Sequence, residues 1–268
     1  MSSITRSSRG SPWVYRSLIW SFAERDLKSR FRGTVLGWVW SLMIPLSTVI
    51  IYTVVFSQIM QARLPGSSGT FEYGIYLCAG IFAWNFFAEI IQRSMSMFLD
   101  NAGMIKKMNF PRICLPVIVV LNAGMNYAII SALFLLLLLV LGSFPGAFLV
   151  AMLPVVAVVC LLATSLGIII GVLNVFFRDA GQLFTILLQF WFWFTPIVYP
   201  ISILPESIAS LVRANPLTPL ISAQQGIALG TGWPDWSSLV SPLLLAIVLA
   251  ALALMLFRRR SFEMVDEL

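Results

Sequence analysis

ICLPVIVVLNAGMNYAIISALFLLLLLVL, residues 113–141, carries no charged side chain from end to end. About 20 apolar residues, rising ~1.5 Å each in an α-helix, cross a ~30 Å hydrocarbon core. The stretch exceeds that need and reads as a transmembrane helix. Working outward, comparable apolar stretches occupy residues 34–60, 73–98, 148–176, 183–199 and 239–257. The expected fold is all-α and polytopic, with six transmembrane helices between a cytoplasmic N-terminal segment (1–33) and a cytoplasmic tail (258–268). Composition agrees. Of 268 residues, 59% are hydrophobic and 10% charged, with mean hydropathy +0.93. A soluble domain carries roughly 25% charged residues, so much of this apolar surface has to face lipid.

The basic residues set the orientation. With the N-terminus inside, the cytoplasmic segments hold Arg6, Arg9, Arg16, Arg25, Lys28, Arg30, Arg32, Lys106, Lys107, Arg112, Arg178, Arg258, Arg259 and Arg260. Only Arg63 and Arg213 fall in outer segments, and Arg93 sits within a span. This strong positive-inside bias places both ends in the cytoplasm, and the expected location is the cytoplasmic (inner) membrane. It also explains the net charge of +6 without a nucleic-acid partner. Residues 1–33 lack the apolar core of a signal peptide. Residues 11–32 instead read as an amphipathic helix on the membrane interface, with Trp13, Trp20 and Leu27 at seven-residue spacing and Arg25, Lys28 and Arg32 opposite.

Two connections stand out. Residues 200–238 form the only long connection, with a re-entrant region expected at about 200–230, and Pro196, Pro200, Pro205, Pro216 and Pro219 forbid one continuous helix there. Two short helices, about 205–213 and 219–229, joined by a turn at Asn215–Pro216, are expected as a re-entrant pair. Irregular backbone at membrane depth is tolerated only where protein or a water-filled cavity covers it. On the inner side, LDNAGMIKKMNFPR (residues 99–112) predicts a short helix capped by Asp100 or Asn101 and stopped by Pro111. Met104, Ile105 and Met108 share its apolar side, and Lys106 and Lys107 lie off it.

What is missing narrows the function. The sequence has no histidine, no GxxxxGK[ST] phosphate loop and no CxxC, and Cys78, Cys114 and Cys160 are far apart. Free buried thiols, no metal site and no nucleotide site on this chain follow. Glu89 and Arg93, four residues apart on one helical face, read as a mutually neutralising pair. No DxD-like acidic cluster suits an enzyme acting on lipid-linked sugars. Asn122, Asn126, Asn174 and Gln189, amides within spans, read as bonds between helices more than as substrate contacts.

Five motifs occur in order: RDLKSRFRGTVLGWVWSLMIP (25–45), MNFPRICLP (108–116), FFRDAGQ (176–182), FWFTPIVYP (192–200) and NPLTPLI (215–221). Together, over nearly the whole chain, they resemble the permease subunit of type-2 ABC exporters, in the branch that exports polysaccharides. The resemblance implies a homodimer bound to two copies of a separate ABC ATPase, which holds the ATP and Mg while this chain carries no cofactor. It makes residues 101–109 the coupling helix, through Asn101, Met104, Ile105, Lys106, Lys107 and Met108. It lines a channel for lipid-linked polysaccharide, O-antigen-like, with the first and fifth spans. Aromatic rings stack on sugar rings without trapping them. Tyr52 and Phe56 in the first span and Phe190, Trp191, Trp193, Phe194 and Tyr199 in the fifth are the channel candidates. Arg25, Lys28, Arg30 and Arg32 are candidates for the phosphate of a lipid carrier, beside their ordinary attraction to anionic headgroups. Export of teichoic acid or capsule, a permease for drugs or small lipids, and a stand-alone channel are the competing readings.

Overall fold

The computed structural model describes residues 71–107, 112–260 and 263–267, with isolated positions at 20–21, 24, 43, 46–47 and 50–51. The expected interface helix and first span, with Tyr52, Phe56, Arg25, Lys28, Arg30 and Arg32, lie outside the described residues. So do Met108 and the side chains of Met104 and Lys107. Among the described residues all regular structure is helical.

Among the described residues four helices are long and apolar enough to cross a membrane: Glu72–Asp100 (α1), Cys114–Val140 (α3), Gly146–Phe176 and Trp236–Arg260. The third comprises a 3-10 turn, Gly146–Ala151, running into α4, Met152–Phe176. Between α1 and α3 lies the six-residue α2, Ala102–Lys107. Then come α5 (Asp179–Trp193), α6 (Glu206–Ala214), α7 (Leu217–Leu229), α8 (Trp236–Arg260) and α9 (Glu263–Glu267).

The hub is α1. Of its apolar window 89% is buried, against 17% for α3 and 22% for α8. A helix apolar on every side belongs inside a bundle, and those left uncovered face lipid or another chain. Its closest crossing is with α4, where Gly167 and Gly171 form a GxxxG pair against Ser94. A Cβ at Gly171 would sit 2.4 Å from the Ser94 carbonyl oxygen, and one at Gly167 2.6 Å from the Ser94 Cβ. Only glycine permits that approach.

Contacts fix the helix directions. Asn174 near the end of α4 bonds the Met95 carbonyl near the end of α1, and Phe257 near the end of α8 stacks on Phe98. These three helices are parallel. Tyr127 of α3 packs on Phe86 and Phe134 on Phe82, while α5 sets Trp191 on Phe87 and Phe192 on Trp84. Both run the other way. Lys106, Arg112, Arg178 and Arg258–Arg260 therefore gather at the α2 end of the bundle, and Arg213 lies at the opposite end.

The fifth apolar stretch differs from expectation in its limits. Its helix begins at Asp179, not 183, and ends at Trp193, not Tyr199. Fifteen residues rise only about 22 Å, short of the ~30 Å core. The break has a local cause: Pro196 has no N–H, and its ring disfavours helical geometry at Thr195. The two short helices beyond it appear nearly where the prolines placed them. Pro219 fits inside α7 because it lies in the first turn, where backbone N–H groups have no helical partner anyway.

Candidate functional site

The broken backbone after α5 is held by side chains from three helices. Asn215, between α6 and α7, uses its amide fully. Its Oδ1 accepts from Trp191 Nε1 at 3.0 Å and from the Leu217 backbone N–H at 3.1 Å. Its Nδ2 donates to Thr195 Oγ1 at 2.9 Å and to the Phe194 carbonyl at 3.2 Å. Thr195 Oγ1 in turn donates to the Trp191 carbonyl at 2.8 Å. The FWFTPIVYP and NPLTPLI motifs thus meet at one buried amide.

Carbonyls of the non-helical run are capped from elsewhere. Tyr73 donates to the Val198 carbonyl at 2.6 Å. The Tyr76 hydroxyl lies 3.1 Å from the carbonyls of both Pro196 and Tyr199. Gln225 of α7 donates from Nε2 to the Pro196 and Ile197 carbonyls at 3.2 and 3.3 Å. Gly80 makes room, since a Cβ there would meet Gln225 Nε2 at 2.5 Å. This network supplies the satisfaction that irregular backbone requires away from water.

Beside this corner a groove of about 300 Å³ opens between α1 and α5, lined by Trp84, Ala88, Gln92, Thr185, Gln189 and Trp193 among others. Gln182, Thr185 and Gln189 are exposed at i, i+3 and i+7 along α5, and Asn85 and Gln92 are exposed at i and i+7 along α1. Gln92 and Gln189 have no hydrogen-bond partner among the described residues. Amides facing lipid would be costly there.

The aromatic candidates divide. Phe190, Trp193 and Phe194 are 70%, 65% and 50% exposed; Trp193 lines the groove, while Phe190 and Phe194 follow Leu187 at i+3 and i+7, on the other side of α5. Trp191 turns inward, bonded to Asn215 and edge-on to Phe87 with ring centroids 5.4 Å apart. It anchors the corner. Tyr199 donates to the Trp193 carbonyl at 2.7 Å, closing the end of α5. Gln189, expected between helices, joins none. Gln92 and Thr185 had not been singled out, although polar residues spaced along one face of an apolar segment were the available signal. Asn126 and Asn174 do bond across helices: Asn126 Nδ2 donates to Glu89 Oε2 at 2.7 Å, and Asn174 Oδ1 accepts from the Gly181 N–H at 3.0 Å. Glu89 also pairs with Arg93 at 2.9 Å.

At the far end of α1, Asn101 donates from Nδ2 to the Met97 carbonyl at 2.8 Å, and Asp100 accepts from Ser96. Both side chains bond back into α1, and the Asn101 carbonyl accepts from the Ile105 N–H at 3.0 Å as α2 begins. Ile105 is 6% exposed and belongs to the main core, so it holds α2 down and is not presented outward. Lys106 is exposed. The terminal α9 packs on α2 and α4 through the fully buried Met264, tethered by an Arg260–Glu263 ion pair.

A multi-pass helical chain with a polar, aromatic membrane-depth face and a short helix docked at one end of its hub is built as a transport subunit. Residues 17–229 match the ABC-2 type transporter family, to which the chain belongs. It is 30% identical over 259 residues to the O-antigen export system permease protein RfbA of Myxococcus xanthus, covering 96% of this chain and 97% of that protein. A Klebsiella pneumoniae protein of the same name is 31% identical over 199 residues, 74% of each chain. The polysialic acid transport protein KpsM of Escherichia coli is 22% identical over 244 residues, 90% of this chain and 92% of that one.

Proposed function

We propose that this chain is the permease subunit of an ATP-driven exporter that moves lipid-linked polysaccharide of the O-antigen type across the cytoplasmic membrane. One observation carries the reading: Gln92 and Gln189, unpartnered among the described residues, line a groove with the exposed Trp193. Amides offer hydrogen bonds to sugar hydroxyls and rings offer stacking surfaces, while no fixed charge lines the groove to arrest a neutral polymer. Full-length similarity to O-antigen permeases at 30% identity, against 22% to the polysialic acid protein, favours O-antigen over capsule.

In the complete subunit, residues 34–60 and the short α5 with residues 194–199 bring the spans to six. The α6–α7 pair is re-entrant on the outer side. The basic α2 end lies in the cytoplasm with both termini, as the positive-inside rule requires. Two copies of the chain place their α1–α5 faces, with Tyr52 and Phe56 of the first span, around one passage. Each copy binds one ATPase at α2. ATP-driven movement of α2 reaches α1 directly, because only Asn101 separates the helices, and α1 passes it to the groove wall. Arg25, Lys28, Arg30 and Arg32 receive the carrier phosphate at the inner surface.

Complementation tests the function. In a strain lacking its O-antigen permease but retaining the cognate ATPase, the chain is expected to restore surface polysaccharide detected by antibody on intact cells. Restored drug efflux with no surface polymer would refute the reading.

A further inference from the structure

A second cavity, of about 580 Å³, lies at the Arg213 end of the bundle between α7 and the start of α8. Its origin is legible in the side chains. Ser222, Ala223 and Gly226 on α7 face Ser238 and Ser241 on α8, and such small residues leave the two helices unfilled between them. The volume falls within the ~300–1,000 Å³ range of small-molecule sites.

The chemistry of the wall is specific. Trp233 lines the cavity with 58% of its surface open, yet its ring is held edge-on against Phe148, centroids 5.7 Å apart and planes at 87°. The loop that carries it needs Gly230 at φ 68° and Gly232 at φ 138°, conformations that favour glycine. The indole N–H and the hydroxyls of Ser222 and Ser241 have no partner among the described residues. Arg213 and Asp235 complete the polar rim. Arg213 spends one nitrogen on Glu206 and keeps further donors, and Asp235 accepts from Ser237 at the start of α8.

We propose that this cavity is an exit-side saccharide subsite, in which Trp233 stacks on a sugar ring of the exported polymer and Ser222, Ser241, Arg213 and Asp235 bond its hydroxyls. A fixed ring beside unpaired donors and acceptors of both kinds matches a pyranose, which has an apolar face and a polar edge. A lipid tail would leave the hydroxyls unsatisfied. The proposal rests on the polysaccharide reading. It adds a holding point beyond the groove, where polymer is kept from sliding back between strokes.

Photo-crosslinking during export tests it. A benzophenone amino acid replaces Ser241, with Leu244 on α8, 58% exposed, as the lipid-facing control. Surface polysaccharide is scored on the same cells. Expected is a polysaccharide adduct at position 241 and none at 244, reduced roughly fivefold by Trp233→Ala, the size of one aromatic contact, and retained in Trp233→Phe. Exclusively lipid or protein adducts at position 241, or none, in cells that still display polymer would overturn the subsite and leave the export reading intact. Absence of surface polymer from cells carrying the unsubstituted chain would sink the export reading, and the subsite with it.

Discussion

The corner after α5 and the groove beside it use the same side-chain chemistry to opposite ends. At the corner, every hydrogen-bonding position of the Asn215 amide is engaged, to Trp191, Leu217, Thr195 and Phe194. In the groove a few turns away, the amides of Gln92 and Gln189 engage nothing in the described chain. Two aromatics two residues apart divide the same way: Trp191 is pinned inward, while Trp193 is 65% exposed. A polar group buried in protein is costly unless bonded, so a satisfied amide holds structure and an open one marks where something else arrives. Partner count, more than residue type, separates the two roles.

The contrast is broken most severely by Asn215→Ala, which strands Trp191 Nε1 and two backbone groups. A loss of about 2–4 kcal/mol is expected, read as a fall in melting temperature of the detergent-solubilised protein. Asn215→Asp, which keeps the acceptor and loses both donors, should fall between Ala and wild type. Next comes Gly171→Ala, which drives a Cβ into the Ser94 carbonyl; about 1–3 kcal/mol of overpacking strain should appear in the same melt. Glu89→Gln keeps one acceptor oxygen where Arg93 and Asn126 each use their own, and should cost about 1–2 kcal/mol. Smallest in stability, and most telling, is the double change Gln92→Leu with Gln189→Leu. Melting should move by no more than about 0.5 kcal/mol, while surface polysaccharide drops several-fold. Loss of folding there would place these residues with Asn215.

The long helices were legible because length and apolar composition suffice to define them: α1, α3, α4 and α8 lie within a few residues of the stretches at 73–98, 113–141, 148–176 and 239–257. Proline chemistry likewise located α6 and α7. The site was read less well, for physical reasons. Trp191, Phe192, Trp193 and Phe194 follow one another, so no periodicity distinguishes inward from outward, and the partner that turns Trp191 inward lies at Asn215. Ile105 reads as an outward apolar contact until the packing of the C-terminal α9 on α2 is known. Gln182, Thr185 and Gln189 did carry a local signal in their spacing. Gln189 was assigned to helix bonding on general frequency, and only the absence of a partner separates it from Asn174, which bonds two helices.

Solvent access along α5 tests the central claim most directly. In a background with Cys78, Cys114 and Cys160 replaced, single cysteines at Gln189 and at Leu187, on the opposite side of the helix, are exposed to a charged, membrane-impermeant thiol reagent in assembled, exporting membranes. Thiols react as thiolates, which form in water and not in hydrocarbon. Fast labelling at position 189, slowed while polymer occupies the exporter, with position 187 unreactive, is the predicted result. No labelling at 189, or labelling at 187 alone, would mean that the groove faces lipid and that polymer travels elsewhere.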